Sequence, residues 1–404
     1  MSSALATLID QESLVSHYQP IVSVKKKKNV GAEALARARS DGSNIPPLQL
    51  FQWAQDEGST LELDRLCRKK AMQGFLGLLQ ADPELLLFVN FEVSVLDRGV
   101  LGSGALLAMV NEMGLKPGNI VIEINESRVA ELTALQGFVE RHKNLGFLIA
   151  LDDLGAGHSS LQRLALLKPD ILKLDRSLIQ GLGSDFFKRE VFKSLVSLGR
   201  NIGALILAEG VETESEVSTS LGLGADLFQG YYFSRPMEAG QWRPSGVKDV
   251  IERCALRNKE AIVRDMLRRK DEASKHRGLL DELAAKLGGT APEAFDRVLS
   301  GTVLRARELE CLFVLDPKGI QLSKTVTMQY MRGRSRGALF QPAPPGTDHS
   351  MKDYFYGLMD AGQENFITEP YVSLASGNLC RTLSTHFEGV AGRPYVLCMD
   401  VKVD

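Results

Sequence analysis

From residue 17 to about 237 the chain alternates short β-rich runs with longer helical patterns, and few folds accept that rhythm. The β-like runs include Tyr18–Val24, Val30–Arg37, Leu86–Phe91, Ile120–Ile124, Phe147–Asp152, Ile171–Asp175 and Ala204–Glu209. Helix candidates lie among them at Asp64–Gln80, Leu101–Met113, Arg128–Asn144 and Phe186–Asn201. A strand, a helix and a further strand imply a right-handed crossover and a mostly parallel sheet. Roughly eight such units in about 220 residues favour a closed α/β barrel over an open sheet.

Polar residues fall where the strands should end. Asn90 follows Leu87-Phe88-Val89, Glu123 follows Val121-Ile122, and Asp152 follows Ile149-Ala150-Leu151. Lys173 follows Ile171-Leu172, and Glu209 follows Ile206-Leu207-Ala208. In a barrel those ends share one face, so the sequence sends carboxylates, an amide and an ammonium toward one place. A lone acidic residue at a strand end is most often a cap or a surface group; several converging on one face are not explained that way.

Hard divalent cations take oxygen ligands, and Mg²⁺ or Mn²⁺ suits carboxylates with an amide better than zinc does. Glu33, Asn90, Glu123 and Asp152 form the expected first-metal set, and Asp153 beside Asp152 allows a bridge to a second cation. Two such ions about 3.5–4 Å apart are a common device for in-line attack on a phosphodiester. Lys173 adds positive charge near the attacking oxygen or the phosphate. Glu209 either completes the second metal site or accepts a proton.

Composition excludes several classes. With 404 residues the chain should hold two to three domains, and 44% hydrophobic with 24% charged residues is ordinary for a globular protein. A formal net charge of −2 argues against a partner that is polymeric nucleic acid. Cys67, Cys254, Cys311, Cys380 and Cys398 are scattered, with no CxxC pair, so neither a disulfide framework nor a zinc site is expected and a reducing cytoplasm fits. Met1–Glu12 lacks the apolar core of a signal peptide, and no run of about 18 uncharged apolar residues predicts a membrane span. The basic run Lys25–Lys28 reads as a solvated hairpin tip.

Beyond Pro236 the pattern changes. Residues 246–290 carry an amphipathic helix rich in Arg, Lys, Glu, Leu and Ala, interrupted at Gly288-Gly289, and read as a connector or dimer-packing helix. Residues 291–404 read as a separate α+β module. Leu309–Leu315 ends in the turn signature Asp316-Pro317-Lys318-Gly319, and Gln321–Thr327 is expected to return as a hairpin strand. Further strands are expected at Glu369–Leu374, Cys380–His386 and Tyr395–Val401, with a loop at Gln341–Gly346. The barrel domain is assigned to residues 1–245.

Tyr18-Gln19-Pro20-Ile21 and Glu33-Ala34-Leu35-Ala36-Arg37 resemble the opening of an EAL-domain cyclic di-GMP phosphodiesterase. The resemblance continues through Val89-Asn90, Glu123-Ile124-Asn125-Glu126 and Asp152-Asp153-Leu154-Gly155-Ala156-Gly157. Lys168-Pro169-Asp170-Ile171-Leu172-Lys173-Leu174-Asp175, Ala208-Glu209-Gly210-Val211-Glu212 and Gln229-Gly230-Tyr231-Tyr232-Phe233-Ser234-Arg235-Pro236 complete it. It implies a TIM-type (β/α)8 barrel whose first strand runs against the others, a homodimer, and hydrolysis of cyclic di-GMP to linear pGpG. Carried over residue by residue, Glu33, Asn90, Glu123, Asp152 and Asp153 bind metal, and Lys173, Glu209 and Gln229 handle the water. Arg37 holds a phosphate, while Gln19, Leu35, Glu212, Phe233 and Pro236 line the substrate groove. Glu126, Leu154 and His158 belong to a loop that links dimer contact to metal binding in the family; Leu154 and His158 stand where Phe and Tyr are usual.

In the C-terminal module, Phe313-Val314-Leu315-Asp316-Pro317-Lys318-Gly319, Asp353-Tyr354-Phe355 and Glu369-Pro370-Tyr371-Val372-Ser373 resemble a PAS/Cache-like sensor fold. That resemblance implies a small-molecule ligand, with Tyr354, Tyr371 and the Arg332–Arg336 stretch nearest to a pocket; a ligand-free dimerisation module is the plainer alternative. For the whole chain the competing class is a receptor that binds cyclic di-GMP without turnover and signals through the C-terminal half. An enzyme acting on another cyclic dinucleotide is a further reading.

Overall fold

A computed structural model of the chain describes residues 4–40, 43–92, 104–125, 132–155, 161–304, 306, 308–327, 340–390 and 392–403. The chain divides into two compact units, Met1–Val263 and Arg264–Asp404.

The first unit is the barrel. Its strands are β1 (Leu14–Ser23), β2 (Lys28–Ser40), β4 (Leu86–Phe91), β5 (Ile120–Ile124), β6 (Leu148–Leu154), β7 (Ile171–Leu174), β8 (Leu205–Ala208) and β9 (Leu227–Phe228). The short β3 (Ser43–Ile45) and β10 (Met237–Glu238) pair outside the ring with β2 and β1. Pairing runs β1-β9-β8-β7-β6-β5-β4-β2, and β1 pairs with β2 to close the circle. From β2 to β9 the neighbours are parallel, while β1 is antiparallel to both β2 and β9. The hairpin tip after β1 carries the basic run, where Lys25 pairs with Asp226 at 2.7 Å and Lys28 with Glu84 at 2.6 Å.

The predicted strand positions hold to within a few residues; β1 and β2 are longer than expected because they pair along a ten-position register. Helices cover Thr60–Ala81, Ala105–Glu112, Leu132–Asn144 and Phe186–Ile202. Their inner faces and the outer faces of the strands form one large apolar layer that includes Met72, Phe75, Phe138 and Phe192.

Inside the ring lies a smaller plug: Ile21, Phe88, Val121, Ala150, Ile171, Leu207 and Leu227 pack together, each from a different strand. β2 contributes Gly31 at the same level, where an added Cβ would meet the Phe88 ring at 2.7 Å. The bulk of Phe88 therefore requires glycine there. Because side chains alternate with period two, the next inward positions are set by this plug. Adding two residues gives Glu33 from Gly31, Asn90 from Phe88, Glu123 from Val121, Asp152 from Ala150 and Lys173 from Ile171. The same step gives Glu209 and Gln229, and on antiparallel β1 the step back from Ile21 gives Gln19. The polar layer sits directly on the apolar plug.

The second unit is an antiparallel sheet of β11 (Leu309–Leu315), β12 (Val326–Thr327), β13 (Asn365–Ile367), β14 (Tyr371–Val372), β15 (Leu379–Glu388) and β16 (Pro394–Lys402). Its order is β12-β11-β16-β15-β13, with β14 added to β15. One face packs Leu312, Val314, Leu397 and Met399 against the helix Phe295–Val303 and the end of the long helix Pro244–Gly288. The other packs Cys311, Phe313, Leu315, Val396 and Cys398 against the helix Asp353–Met359.

The expected strand over Gln321–Thr327 is a correction. Only Val326–Thr327 pairs in the sheet, and Gln321 makes an isolated bridge to Leu315. Its side-chain amide instead donates to Ser323 O, Thr325 Oγ1 and Ala343 O, which folds the segment into a loop. Tyr354 is buried against His349, with 2.7 Å between Tyr354 Oη and His349 Nδ1, and the Tyr371 hydroxyl lies 2.6 Å from Thr382 Oγ1. Arg332–Arg336 lies outside the described residues. Among the described residues no helix is long and apolar enough to cross a membrane.

Phe88→Ala should cost about 3–5 kcal/mol, the usual range for emptying a buried aromatic position. Denaturant unfolding followed by a barrel probe such as Trp53 fluorescence should show the lower midpoint, and an unchanged midpoint would contradict the plug.

Candidate active site

The polar layer on the plug is knitted from neighbouring strands. Asn90 Nδ2 donates to Glu33 Oε1 at 3.2 Å and to Glu123 Oε2 at 3.1 Å. Gln229 Nε2 donates to Glu33 Oε2 at 2.5 Å and to Gln19 Oε1 at 3.1 Å, joining β9 and β1 to β2. Gln19 Nε2 in turn donates to Ser234 O at 3.1 Å. Gly230 lets this seam form, since an added Cβ would stand 2.1 Å from Val211 O.

At the other side of the layer Lys173 is fully buried and lies 2.5 Å from Glu123, 3.0 Å from Asp152 and 2.7 Å from Glu209. Burial alone would lower the Lys173 pKa, but the carboxylates of Asp152, Glu123 and Glu209 outweigh it and raise it well above the ordinary lysine value. Lys173 is therefore a permanent cation. Burial pushes Glu123 well above the usual carboxylate range, and the nearby Glu33 charge adds to that against the pull of Lys173. Burial likewise pushes Glu209 up to about 8, with Lys173 opposing and Asp152 and Glu33 reinforcing.

Asp152 and Asp153 are adjacent on β6, and in a regular strand they would face opposite sides. A bulge changes this. Between Leu151 and Leu154 β6 carries one more residue than β7, and Asp153 adopts φ +59°. The extra residue turns the Asp153 side chain so that both aspartates line one cavity. Asn125 Nδ2 donates to Asp153 Oδ2 at 2.6 Å, and Asp153 N donates to Asp152 Oδ1 at 3.0 Å.

That cavity, of about 250 Å³, is also lined by Leu35, Arg37 and Asn90. Arg37 Nη1 donates to Ala36 O at 2.8 Å. Phe233 is buried with its ring 5.2 Å from that of Tyr232, Pro236 is half-buried, and the exposed Glu212 pairs with Arg176 at 2.8 Å. Leu154 is buried in the core, while Glu126 and His158 lie outside the described residues. Among the lining residues missed in sequence are Asn125, Asp64 and Arg68. Asn125 stands two positions past Glu123 on the strand-end pattern, and Asp64 with Arg68 has the i,i+4 spacing of a helix ion pair, so both signals were present.

The donor set suits a hard cation. Five carboxylates, those of Glu33, Glu123, Asp152, Asp153 and Glu209, gather at one barrel end where Lys173 is the buried ammonium. Gln229 Oε1 is buried without a hydrogen-bond partner among the described residues, while Glu123 Oε1 and Glu209 Oε1 are buried against Lys173 Nζ, which a cation would replace or share. Among the described residues no three His, Cys, Asp or Glu side chains close around a common point as they stand, because three of these carboxylates are turned onto Lys173.

A family model described as EAL domain matches residues 2–236. Over 234 residues the chain is 30% identical to "Probable cyclic di-GMP phosphodiesterase PdeB" of Escherichia coli (strain K12), covering 58% of this chain and 44% of that protein. It is 30% identical over 234 residues to cyclic di-GMP phosphodiesterase RocR of Pseudomonas aeruginosa, covering 57% and 59%. The chain thus spans about half the length of the curated relatives it matches. In fold it is similar to the Bacillus subtilis YkuI protein, solved in complex with substrate c-di-GMP and calcium, with a TM-score of 0.81 and 23% identity over 100% of both chains.

A cation held by these groups would displace the Glu209 proton, so its binding is expected to release a proton near neutral pH and to tighten as pH rises through about 8. In the metal-free protein Glu209 titrates above its unfolded value, so the folded state holds the extra proton and loses stability between about pH 4.5 and 8. Added Mg²⁺ should then raise the barrel's melting temperature more at pH 8 than at pH 6. Calorimetric titration in buffers of differing ionisation enthalpy checks the proton count, and zero release at pH 7 would contradict the assignment.

Proposed function

Because this chain belongs to the EAL-domain family, we propose that it hydrolyses cyclic di-GMP to linear pGpG in the presence of Mg²⁺ or Mn²⁺. The carrying observation is the carboxylate excess over Lys173 on one barrel face, which suits two divalent cations. Glu33, Asn90, Glu123 and Asp152 would hold one ion, and Asp153 with Asp152 the other. Bound there, the ions would supply an acidified water and screen charge on the scissile phosphate.

The chain's own groups do the rest. Lys173 keeps a fixed positive charge within the layer, where it orients Asp152 and Glu209 and favours an anionic attacking oxygen. Glu209, held 2.7 Å from Lys173 beside Asp152, is placed to take the water's proton. Gln229 fixes the Glu33 carboxylate by its short hydrogen bond and tethers it to Gln19. Arg37 offers a guanidinium to a substrate phosphate. Leu35, Gln19, Phe233, Pro236 and Glu212 would line the groove for the rest of the substrate, and the loop of Glu126, Leu154 and His158 would couple the site to a homodimer contact.

The remaining parts of the reading follow the same division: a barrel domain over 1–245, a connector over 246–290 and a PAS/Cache-like module over 291–404 that binds a small molecule and regulates turnover. The two-sided antiparallel sheet with a helix on each face supports that module's assignment. Five free thiols among the described residues fit a cytoplasmic location.

Purified chain incubated with cyclic di-GMP and Mg²⁺ or Mn²⁺ should yield pGpG, and a chelator should stop it. Tight binding without product would instead assign a receptor. Glu33→Ala should lower kcat by a factor of about 10³ or more with the fold intact by circular dichroism. Full activity of that variant in metal-defined buffer would sink the metal-site assignment.

A further inference from the structure

The groove holds a second charged element that the hydrolysis reading does not use. On the helix Thr60–Ala81, Arg68 Nη1 donates to Asp64 Oδ2 one turn away, and both residues are buried, at 5% and 2% exposure. The guanidinium lies over the Phe91 ring with 4.5 Å from Cζ to the ring centre. Asp64 Oδ1 accepts from Glu92 N at 3.3 Å, so the carboxylate is tied to the segment just past β4. Arg68 Nε is buried and has no hydrogen-bond partner among the described residues.

An ion pair built for stability would be poorly served by this arrangement. Burying two charges costs desolvation that their attraction often only matches, and an unmade hydrogen bond adds to the cost. Yet Asp64 and Arg68 line the same cavity as Asn90, Asp152 and Asp153. The guanidinium of Arg68 rests over Phe91 and is bound through Nη1 to Asp64, while the residue as a whole reaches the cavity lining. Its charge is already balanced by Asp64. A balanced guanidinium favours a neutral acceptor over a phosphate, and Arg37 in the same cavity is the unpaired-charge candidate for phosphate.

Resting on the cyclic di-GMP reading, we propose that Arg68 is a specificity residue that reads the O6/N7 acceptor edge of one guanine. Arginine to guanine O6/N7 is the commonest specific side-chain contact to that base, because two parallel N–H donors match two acceptors. Adenine places an amino donor where O6 stands and breaks the match. Phe91 supplies an apolar surface beneath the guanidinium, with Cζ 4.5 Å from the ring centre.

The test compares Arg68→Gln and Arg68→Lys with the unaltered full chain, measuring Kd for cyclic di-GMP and cyclic di-AMP in EDTA, and by stopped flow with Mg²⁺ before turnover. Arg68→Lys keeps the pairing to Asp64, and an Asp64→Asn, Arg68→Gln double variant removes both charges should the single Gln variant unfold. The expected result is a cyclic di-GMP affinity weaker by about 5- to 100-fold with cyclic di-AMP changed less than about two-fold. Equal weakening for both ligands would assign Arg68 to the phosphate or the fold and overturn the proposal, as would no change for either. Failure of the unaltered chain to bind cyclic di-GMP would overturn the functional reading itself, whereas the variant outcomes leave that reading standing.

Discussion

The barrel end depends on one buried ammonium. Lys173 meets Glu123, Asp152 and Glu209 within 3.0 Å, and it comes from the strand position directly above the apolar plug. Without it, a set of carboxylates at this depth would have to take up protons or leave the interior, since buried like charges cannot all ionise. With it, part of the layer stays anionic and oriented while Asn90 and Gln229 fix the remainder from the opposite side of the ring. Attraction to Lys173 and readiness for divalent cations are two aspects of one charge imbalance.

That imbalance was visible in the sequence because strand geometry is periodic. Once Phe88, Val121, Ala150, Ile171 and Leu207 are read as inward residues, Asn90, Glu123, Asp152, Lys173 and Glu209 follow by a step of two. Asp153 follows no such rule. Its presence beside Asp152 in the cavity comes from a bulge and a left-handed backbone angle, which a strand pattern does not encode. The Asp64–Arg68 pair was legible as helix spacing but not as groove lining, since only the packing of that helix on β4 brings it there. Gln321 is the opposite case: its neighbours favour a strand, and a tertiary network of side-chain amide bonds overrides them.

The C-terminal sheet separates its chemistry by face. Toward the helix Phe295–Val303 it presents Leu312, Val314, Leu383, Phe387, Leu397 and Met399. Toward the helix Asp353–Met359 it carries Cys311, Thr382, Ser384 and Asp400, and Asp400 accepts from Thr382 Oγ1 at 2.7 Å and from Cys311 Sγ at 3.0 Å. Every residue of β11 is buried, and a bulge between Leu309 and Cys311 resets which residues face which helix. Ser384 Oγ, on the face toward the helix Asp353–Met359, donates to Tyr354 O at 2.7 Å, which ties the sheet to that helix.

The antiparallel first strand has a consequence for how the chain comes into being. β1 pairs at once with β2, a few residues away, yet its other edge waits for β9, and the Gln19–Gln229 bond spans 210 positions. During synthesis from the N-terminus, the first hairpin is complete while one rim of it has no partner until nearly the whole barrel has emerged. The amide that steadies Glu33 arrives across that late seam. Ring closure and completion of the polar layer are therefore one event, and a nascent barrel lacking its final strand also lacks its finished polar face.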